Sequence, residues 1–256
     1  VEDCPDGLRP VGVIPVDLFG LPADYTAIGR VAAASSMWVI ADAAQSFGAT
    51  AGEATVGQMA PLTTTSFFPA KPLGCYGDGG AVFCDDPADA EVLRSLRVHG
   101  SGTHKYDNAR IGINGRLDTV QAAILLQKLT VFGEELTARQ EVAERYRTGL
   151  DDIVSVPVVP AGMRSAWAQY TIRVQDRDAV VAAIGAKGIP TAVYYPLPLH
   201  QQTAFSGFPT GAGGLEVSER YAAEVLSLPM HPYLSAADQA SVIDAVRAAV
   251  STTGAR

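Results

Sequence analysis

The sequence predicts an α/β fold: a mainly parallel sheet flanked by helices, followed by a smaller C-terminal α/β domain. Three observations point there. VGVIPV (11–16) and MWVIA (37–41) are short, continuous apolar runs, the pattern of strands buried on both faces. A helical segment separates them, so strand, helix and strand fit in about thirty residues, and such a crossover makes the two strands parallel. The texture then changes after Val156-Pro157, where a second series of elements begins.

The elements follow in order. VGVIPV is bounded by Pro10 and by the turn Gly20-Leu21-Pro22. Ala23 to Ser35 carries Ile28, Val31 and Ala32 at helical spacing, and MWVIA closes the right-handed unit. TTTSFF (63–68) and GAVFC (80–84) read as two more strands, and Pro87 to Val98 as a helix. Asp118-Thr119-Val120-Gln121 has the form of a capping box opening a helix to Leu129, with Val120, Ile124 and Leu125 facing the core. Gly133 is expected to break it. A longer amphipathic helix then runs to about Leu150 on Leu136, Val142, Tyr146 and Leu150. YTIRV (170–174), a helix over 178–187 and TAVYY (191–195) form the second series. A last helix starts at Ser235, with Asp238 at its third position, and runs to about Val250. The domain boundary falls between about 133 and 155. No internal repeat or low-complexity tract is present in the sequence.

Composition narrows the function. The chain has 256 residues, 48% hydrophobic and 18% charged, enough for one large domain or two smaller ones. Its net charge of −8, without a basic run, argues against nucleic acid as a partner. Cys4, Cys75 and Cys84 are odd in number and widely spaced, which suggests neither a disulfide framework nor a zinc site. A reducing, cytoplasmic setting fits them. No run approaches eighteen consecutive apolar residues, so no membrane span is expected. The chain begins at Val1, and VEDCPDGLRP reads like the interior of a longer protein.

Lys71 is the one long cation in SFFPAKPLGCYGDGG (66–80), a stretch of aromatics, small residues and turn formers. Two roles fit it. It is a solvated loop lysine, or an amine held in a pocket, where burial lowers its pKa and makes it a nucleophile toward a carbonyl. Asp42 directly follows the strand MWVIA, at the end where open parallel sheets gather ligands. It is a helix N-cap or a functional acid. Gln45 and Ser46 come next, and Gly48 permits close backbone approach. Ser66 is an ordinary serine or a phosphate ligand. Gly74, Gly77, Gly79 and Gly80 match neither GxGxxG nor a P-loop, and read as turn glycines packing backbone near Lys71. An acid for a pyridine nitrogen, a lysine for covalent attachment and a serine for a phosphate are together the protein-side needs of pyridoxal 5′-phosphate.

DAAQSFGA (42–49), SFFPAKPLGCYGDGG (66–80), RVHG (97–100), NGRLDTVQAAIL (114–125) and YYPLPLHQQ (194–202) resemble, in order, the sugar aminotransferases of the DegT/DnrJ/EryC1/StrS family. The blocks cover nearly the whole chain. The resemblance implies the fold type I of pyridoxal-phosphate-dependent transferases (aspartate aminotransferase-like), with residues 1–135 as the C-terminal part of the large cofactor-binding domain and 136–256 as the small domain. It implies that Lys71 carries the cofactor and that Asp42 partners its pyridine nitrogen. Gln45 then lies at the ring near its 3-hydroxyl, and Ser66 binds the phosphate. Asn114 reaches the phosphate of a neighbouring subunit's cofactor in a homodimer with shared active sites. Arg116 crosses the same interface to bind substrate, and Tyr194 and Tyr195 lie on the substrate side.

The implied reaction moves an amino group from glutamate to a nucleotide-linked keto sugar. The wording of these blocks, with SLPMHPYL (227–234), most resembles enzymes that aminate UDP-2-acetamido-2-deoxy-3-oxo-glucuronate. Three departures stand out. Ala41 sits where the family usually has Glu. Tyr194 sits where that subfamily often has histidine. Roughly a hundred family residues would precede Val1, among them a phosphate-binding helix N-terminus and a ring-stacking aromatic. Two other readings are open: a sugar dehydratase of the same fold, against which Lys71 argues because those enzymes place histidine there, and a truncated member acting only as a binding subunit. His99, His200 and His231 are expected to be structural, and His104 solvated.

Overall fold

The computed structural model describes residue 4, residues 7–104 and residues 106–254. Val1, on which the expectation of a missing upstream part rests, lies outside the described residues. The chain divides into two compact units. Gly12–Gly133 with Gly162–Ala166 form the sheet unit. Glu134–Ala161 and Trp167–Arg256, with the described part of Val1–Val11, form the second.

The sheet unit opens with the expected βαβ arrangement. β1 (Gly12–Val13) and β2 (Trp38–Asp42) run parallel, joined through α1 (Tyr25–Ala34), whose N-cap Asp24 accepts the Ala27 N–H at 2.9 Å. β1 is shorter than the predicted 11–16, because Pro15 has no N–H to give a ladder. The pairing resumes beyond it. The Asp42 N–H donates to the Pro15 carbonyl at 2.9 Å, and the Asp17 N–H donates to the Asp42 carbonyl at 3.0 Å.

β3 (Thr50–Ala51) and β4 (Ala54–Thr55) make a small hairpin, and β5 (Leu62–Ser66) returns parallel to β2. β6 (Gly80–Cys84) pairs antiparallel with β5, giving the order β1-β2-β5-β6. The sheet is therefore parallel except at this last strand. TTTSFF is strand only to Ser66; Phe67 and Phe68 already belong to the loop. α2 (Pro87–Leu96) is capped by Asp86, which accepts the Ala88 N–H at 2.7 Å, with proline in its first turn.

α3 (Thr119–Leu129) forms as expected, but not by a capping box. The Asp118 side chain makes no cap bond, and the Gln121 Oε1 accepts the Tyr76 N–H at 2.8 Å. A loop amide from elsewhere in the chain takes the acceptor that local pairing would have used. Leu125 is buried, but Val120 is 70% exposed and not a core residue. β7 (Met163–Arg164) pairs with β3 and completes a small antiparallel sheet absent from the sequence reading; two-residue strands leave no periodicity to read. α4 (Phe132–Leu150) follows a break at 130–131, so Gly133 lies inside its first turn and does not separate the helices.

In the second unit, Val142, Tyr146 and Leu150 of α4 are buried, the predicted apolar stripe. They join Ile172 of β8 (Tyr170–Arg173), Val180 and Ile184 of α5 (Arg177–Gly185), and Val242, Val246 and Val250 in one core. α6 (Glu216–Glu224) leads into β9 (Val225–Leu228), which pairs antiparallel with β8. α7 (Ala236–Thr253) has its expected start, where the Ser235 Oγ accepts the Asp238 N–H at 3.1 Å. The predicted strand 191–195 does not form. Only Ala192 bridges, to Ser227, because Pro190 and Pro196 bracket the run and cannot extend a ladder. The partner strand β9 was missed. Among the described residues, no helix is long and apolar enough to cross a membrane.

Candidate active site

The site grows from the ends of two adjacent parallel strands. β2 ends on Asp42 and β5 on Ser66. The ladder between them extends past the carboxylate: the Ala43 N–H donates to the Thr64 carbonyl at 2.8 Å, and the Thr65 hydroxyl donates to the Ala43 carbonyl at 3.0 Å. Asp42 is thus the last residue of its strand, not the residue after it. No helix follows, so the N-cap role is set aside. Its Oδ1 accepts the Ala44 N–H at 3.1 Å, an Asx-type turn that leads the chain into Gln45 and Ser46.

The Lys71 loop leaves the end of β5 and closes on itself. The Lys71 N–H donates to the Phe68 carbonyl at 2.9 Å, and the Cys75 N–H donates to the Phe67 carbonyl at 2.8 Å. The Phe67 N–H donates to the Gly79 carbonyl at 2.8 Å, which ties the loop's exit to its entrance. Glycine is required inside it. A Cβ on Gly74 would lie 2.6 Å from the Phe68 carbonyl oxygen, and one on Gly80 2.7 Å from that of Thr65. The Phe47 ring meets Phe67, Phe83 and Phe132 at 5.7–6.2 Å and anchors the loop's entry in apolar surface. Lys128 closes the far side, its Nζ donating to the Gly74 carbonyl at 2.6 Å.

Lys71 is half-buried in this frame. Burial pushes its ammonium below the ordinary lysine range, and the Asp42 carboxylate pulls the other way. The amine is therefore partly withdrawn from water and feels the attraction of Asp42. Gln45 is buried, its Oε1 accepting the Phe19 N–H. Ser66 accepts the Phe68 N–H at 3.2 Å and so holds the start of the Lys71 loop. Asp42, Gln45, Ser66 and Lys71 all belong to the two adjoining strand ends and the turns that leave them. Their residue types, an amine, a carboxylate, an amide and a hydroxyl, could meet a group bearing a carbonyl, a basic nitrogen and an anion.

Asn114 and Arg116 belong to the same unit but sit on another segment. Both are exposed, and the Arg116 Nε donates to the Asn114 Oδ1 at 3.2 Å. The segment is held by backbone: the His99 N–H donates to the Ile113 carbonyl at 2.9 Å, with His99 at φ 59°. Tyr194 and Tyr195 fall in the second unit, exposed, with ring centroids 5.5 Å apart. His200 pairs there with Glu219 at 2.9 Å. A concavity of about 1110 Å³ lies beside β5, β6 and α2, with Val82, Leu93, Arg97 and Leu117 among its lining, but it includes none of the four strand-end residues.

One buried group escaped the sequence reading. Asp17 is 1% exposed and accepts three hydrogen bonds, from the Ser46 hydroxyl, the Tyr25 hydroxyl and the Ala23 N–H. The only available signal was an acid directly after the first strand, the same signal that marked Asp42.

The sequence pattern of the DegT/DnrJ/EryC1/StrS aminotransferase family matches residues 9–247. The chain is 45% identical over 230 residues to the UDP-2-acetamido-2-deoxy-3-oxo-D-glucuronate aminotransferase of Pseudomonas aeruginosa, covering 90% of this chain and 63% of that one. A crystal structure of a DegT DnrJ EryC1 StrS aminotransferase from Brucella abortus superposes with a TM-score of 0.92 at 51% identity, over 94% of this chain and 65% of that one. NtdA from Bacillus subtilis, solved with bound cofactor PMP, superposes at 0.84 with 26% identity, over 94% of this chain and 57% of that one. The chain thus spans somewhat under two thirds of the length of these proteins.

Proposed function

The chain belongs to the DegT/DnrJ/EryC1/StrS aminotransferase family, whose cofactor is pyridoxal phosphate, and from that premise we propose that it transfers an amino group from glutamate to a nucleotide-linked keto sugar. The fold is the type I fold of these transferases. The observation that carries the proposal is the half-buried Lys71 in the loop that leaves β5, in the field of the Asp42 carboxylate that ends the adjacent strand β2. The donor set fits the cofactor: an amine for its aldehyde, a carboxylate for its pyridine nitrogen and a hydroxyl for its phosphate.

When bound, pyridoxal phosphate supplies an electron sink for the carbon that loses and regains a proton. Asp42 holds the proton on the pyridine nitrogen, which sustains that sink. Lys71 would hold the cofactor through its amine and would serve as the general base and acid of the reaction. Its Nζ would take the proton from the donor's α-carbon and, as the ammonium so formed, would give that same proton back as general acid. A lowered pKa suits both tasks, because more of the amine is neutral near working pH. Gln45 positions the ring, and Ser66 binds the phosphate together with Asn114 of a second copy. Arg116, Tyr194 and Tyr195 bind the sugar nucleotide. The Pseudomonas relative supports a UDP-linked 3-keto-uronate as the acceptor.

The other reading is a subunit that binds without turning over. One experiment separates the two. The chain is mixed with pyridoxal phosphate, reduced with borohydride, and the labelled peptide mapped. Label on Lys71 is expected. Label elsewhere, or none, overturns the cofactor assignment and puts the binding subunit first.

A further inference from the structure

We propose that Asp17 is a positioning residue of the site: its buried carboxylate clamps the 42–46 segment, which carries Asp42 and Gln45. The inference rests on the functional reading above for its purpose, but not for its test.

The backbone makes the first tie. Residues 15–17 run alongside the end of β2, with the Asp42 N–H on the Pro15 carbonyl and the Asp17 N–H on the Asp42 carbonyl. The Asp17 side chain makes the second. Its Oδ2 accepts the Ser46 hydroxyl at 2.5 Å, and Ser46 is fully buried. Asp42 and Ser46 bracket the turn, so Asp17 grips both ends of it. Phe19, two residues on, gives its N–H to the Gln45 Oε1, and it takes φ 62° to do so, a region non-glycine residues seldom adopt.

The clamp is itself held from the other side. Oδ1 accepts the Tyr25 hydroxyl at 2.7 Å and the Ala23 N–H at 2.9 Å, both at the entry to α1. All three partners donate, which is the bonding an ionised carboxylate needs when it leaves water. Burial still raises the Asp17 pKa, those three bonds oppose the rise, and the Asp42 charge adds to it. That last effect places the two carboxylates in each other's field. A carboxylate kept 1% exposed beside another carries a cost that no packing role requires. A neutral side chain of the same shape would fill the space, whereas only a strong acceptor collects all three donors.

The test reads the Lys71 amine in the cofactor-free protein. Asp42 acts on that amine by attraction, so anything that loosens Asp42 lowers the amine's pKa further. Competitive acetylation across a pH series, with mass spectrometry of the Lys71 peptide, gives the midpoint. Asp42→Asn sets the largest downward shift. Asp17→Asn is expected to produce a substantial part of it, about 0.5 pH unit or more. Ser46→Ala, which cuts the tie to the turn, is expected to shift the same way by less. Tyr25→Phe removes a bond to the same carboxylate on the side away from the turn, and is expected to shift the midpoint less than Ser46→Ala does.

A folded Asp17→Asn protein with an unmoved midpoint overturns the inference. So does a Tyr25→Phe shift equal to that of Ser46→Ala, which would mean a general loss of structure. Should Asp17→Asn fail to fold, Ser46→Ala decides, and an unmoved midpoint there overturns the clamp. Cofactor affinity, titrated in the same variants, is expected to fall in the same order. If the midpoints move as expected while the native chain takes no label on Lys71, the clamp stands and the aminotransferase reading falls.

Discussion

Two segments of the sheet unit offer functional residues in opposite ways. The 66–80 loop turns inward: its ends are bonded to each other, its glycines sit where a Cβ would strike backbone, and its lysine is half-buried near a carboxylate of the same chain. The 97–116 segment is also tied by backbone bonds, yet it turns outward. Asn114 and Arg116 touch each other and solvent, Tyr106 is 89% exposed and Ile111 99%. Rigid framing is common to both. The first segment meets its electrostatic partner, Asp42, on the adjacent strand of the same unit, so its chemistry can be read within one chain. The second turns Asn114 and Arg116 to solvent, and their delivery to a second copy belongs to the proposal above.

The largest expected effect breaks the comparison at its inward side. Lys71→Ala should abolish the label after borohydride and lower transamination by at least about 10³-fold, since both covalent attachment and proton transfer are lost. Turnover that survives in a protein free of contaminating transaminase would sink the role of Lys71. The outward side should respond differently. Arg116→Ala is expected to lower kcat/KM about 10- to 100-fold, the loss of one charge-assisted contact, with an unchanged melting temperature because the side chain is exposed. Mixing it with Lys71→Ala should recover activity if the arginine serves the other copy. Absence of recovery, with both variants folded and mixed as dimers, would mean that both residues of a site come from the same chain.

The smallest effect tests the framing itself. Gly74→Ala should cost about 1–3 kcal/mol in denaturant unfolding, because a Cβ 2.6 Å from the Phe68 carbonyl oxygen forces the loop apart. The equivalent change at Gly133, with nothing within 4 Å of its Cβ, should be neutral or slightly stabilising. Equal costs at both glycines would remove the argument that the Lys71 loop is closed by close backbone approach.

Much of the fold was legible in the sequence, for identifiable reasons. The βαβ opening, β6, α2, α3, the α4 stripe of Val142, Tyr146 and Leu150, and the Ser235 cap all follow from local pattern. The misreadings share another cause. Gln121 looked like a capping partner until the Tyr76 amide claimed it. Val120 had helical spacing, but α3 turns that face outward. TAVYY had strand composition, but its flanking prolines leave a single bridge. In each case a contact or boundary outside the local window decided.

The site divides along the same line. The sequence by itself determined which residue types were present and in what order: an acid at the end of β2, a hydroxyl at the end of β5 and a lysine in a glycine-rich loop. Strand ends are set by local composition, and the order of strands fixes which ends can be neighbours. Only the tertiary structure decided that Lys71 is half-buried, that Asp42 lies within its field, and that Asp17, twenty-five residues before Asp42, is buried against the same turn. Burial and electrostatic distance depend on which elements pack together, and no run of neighbouring residues encodes them.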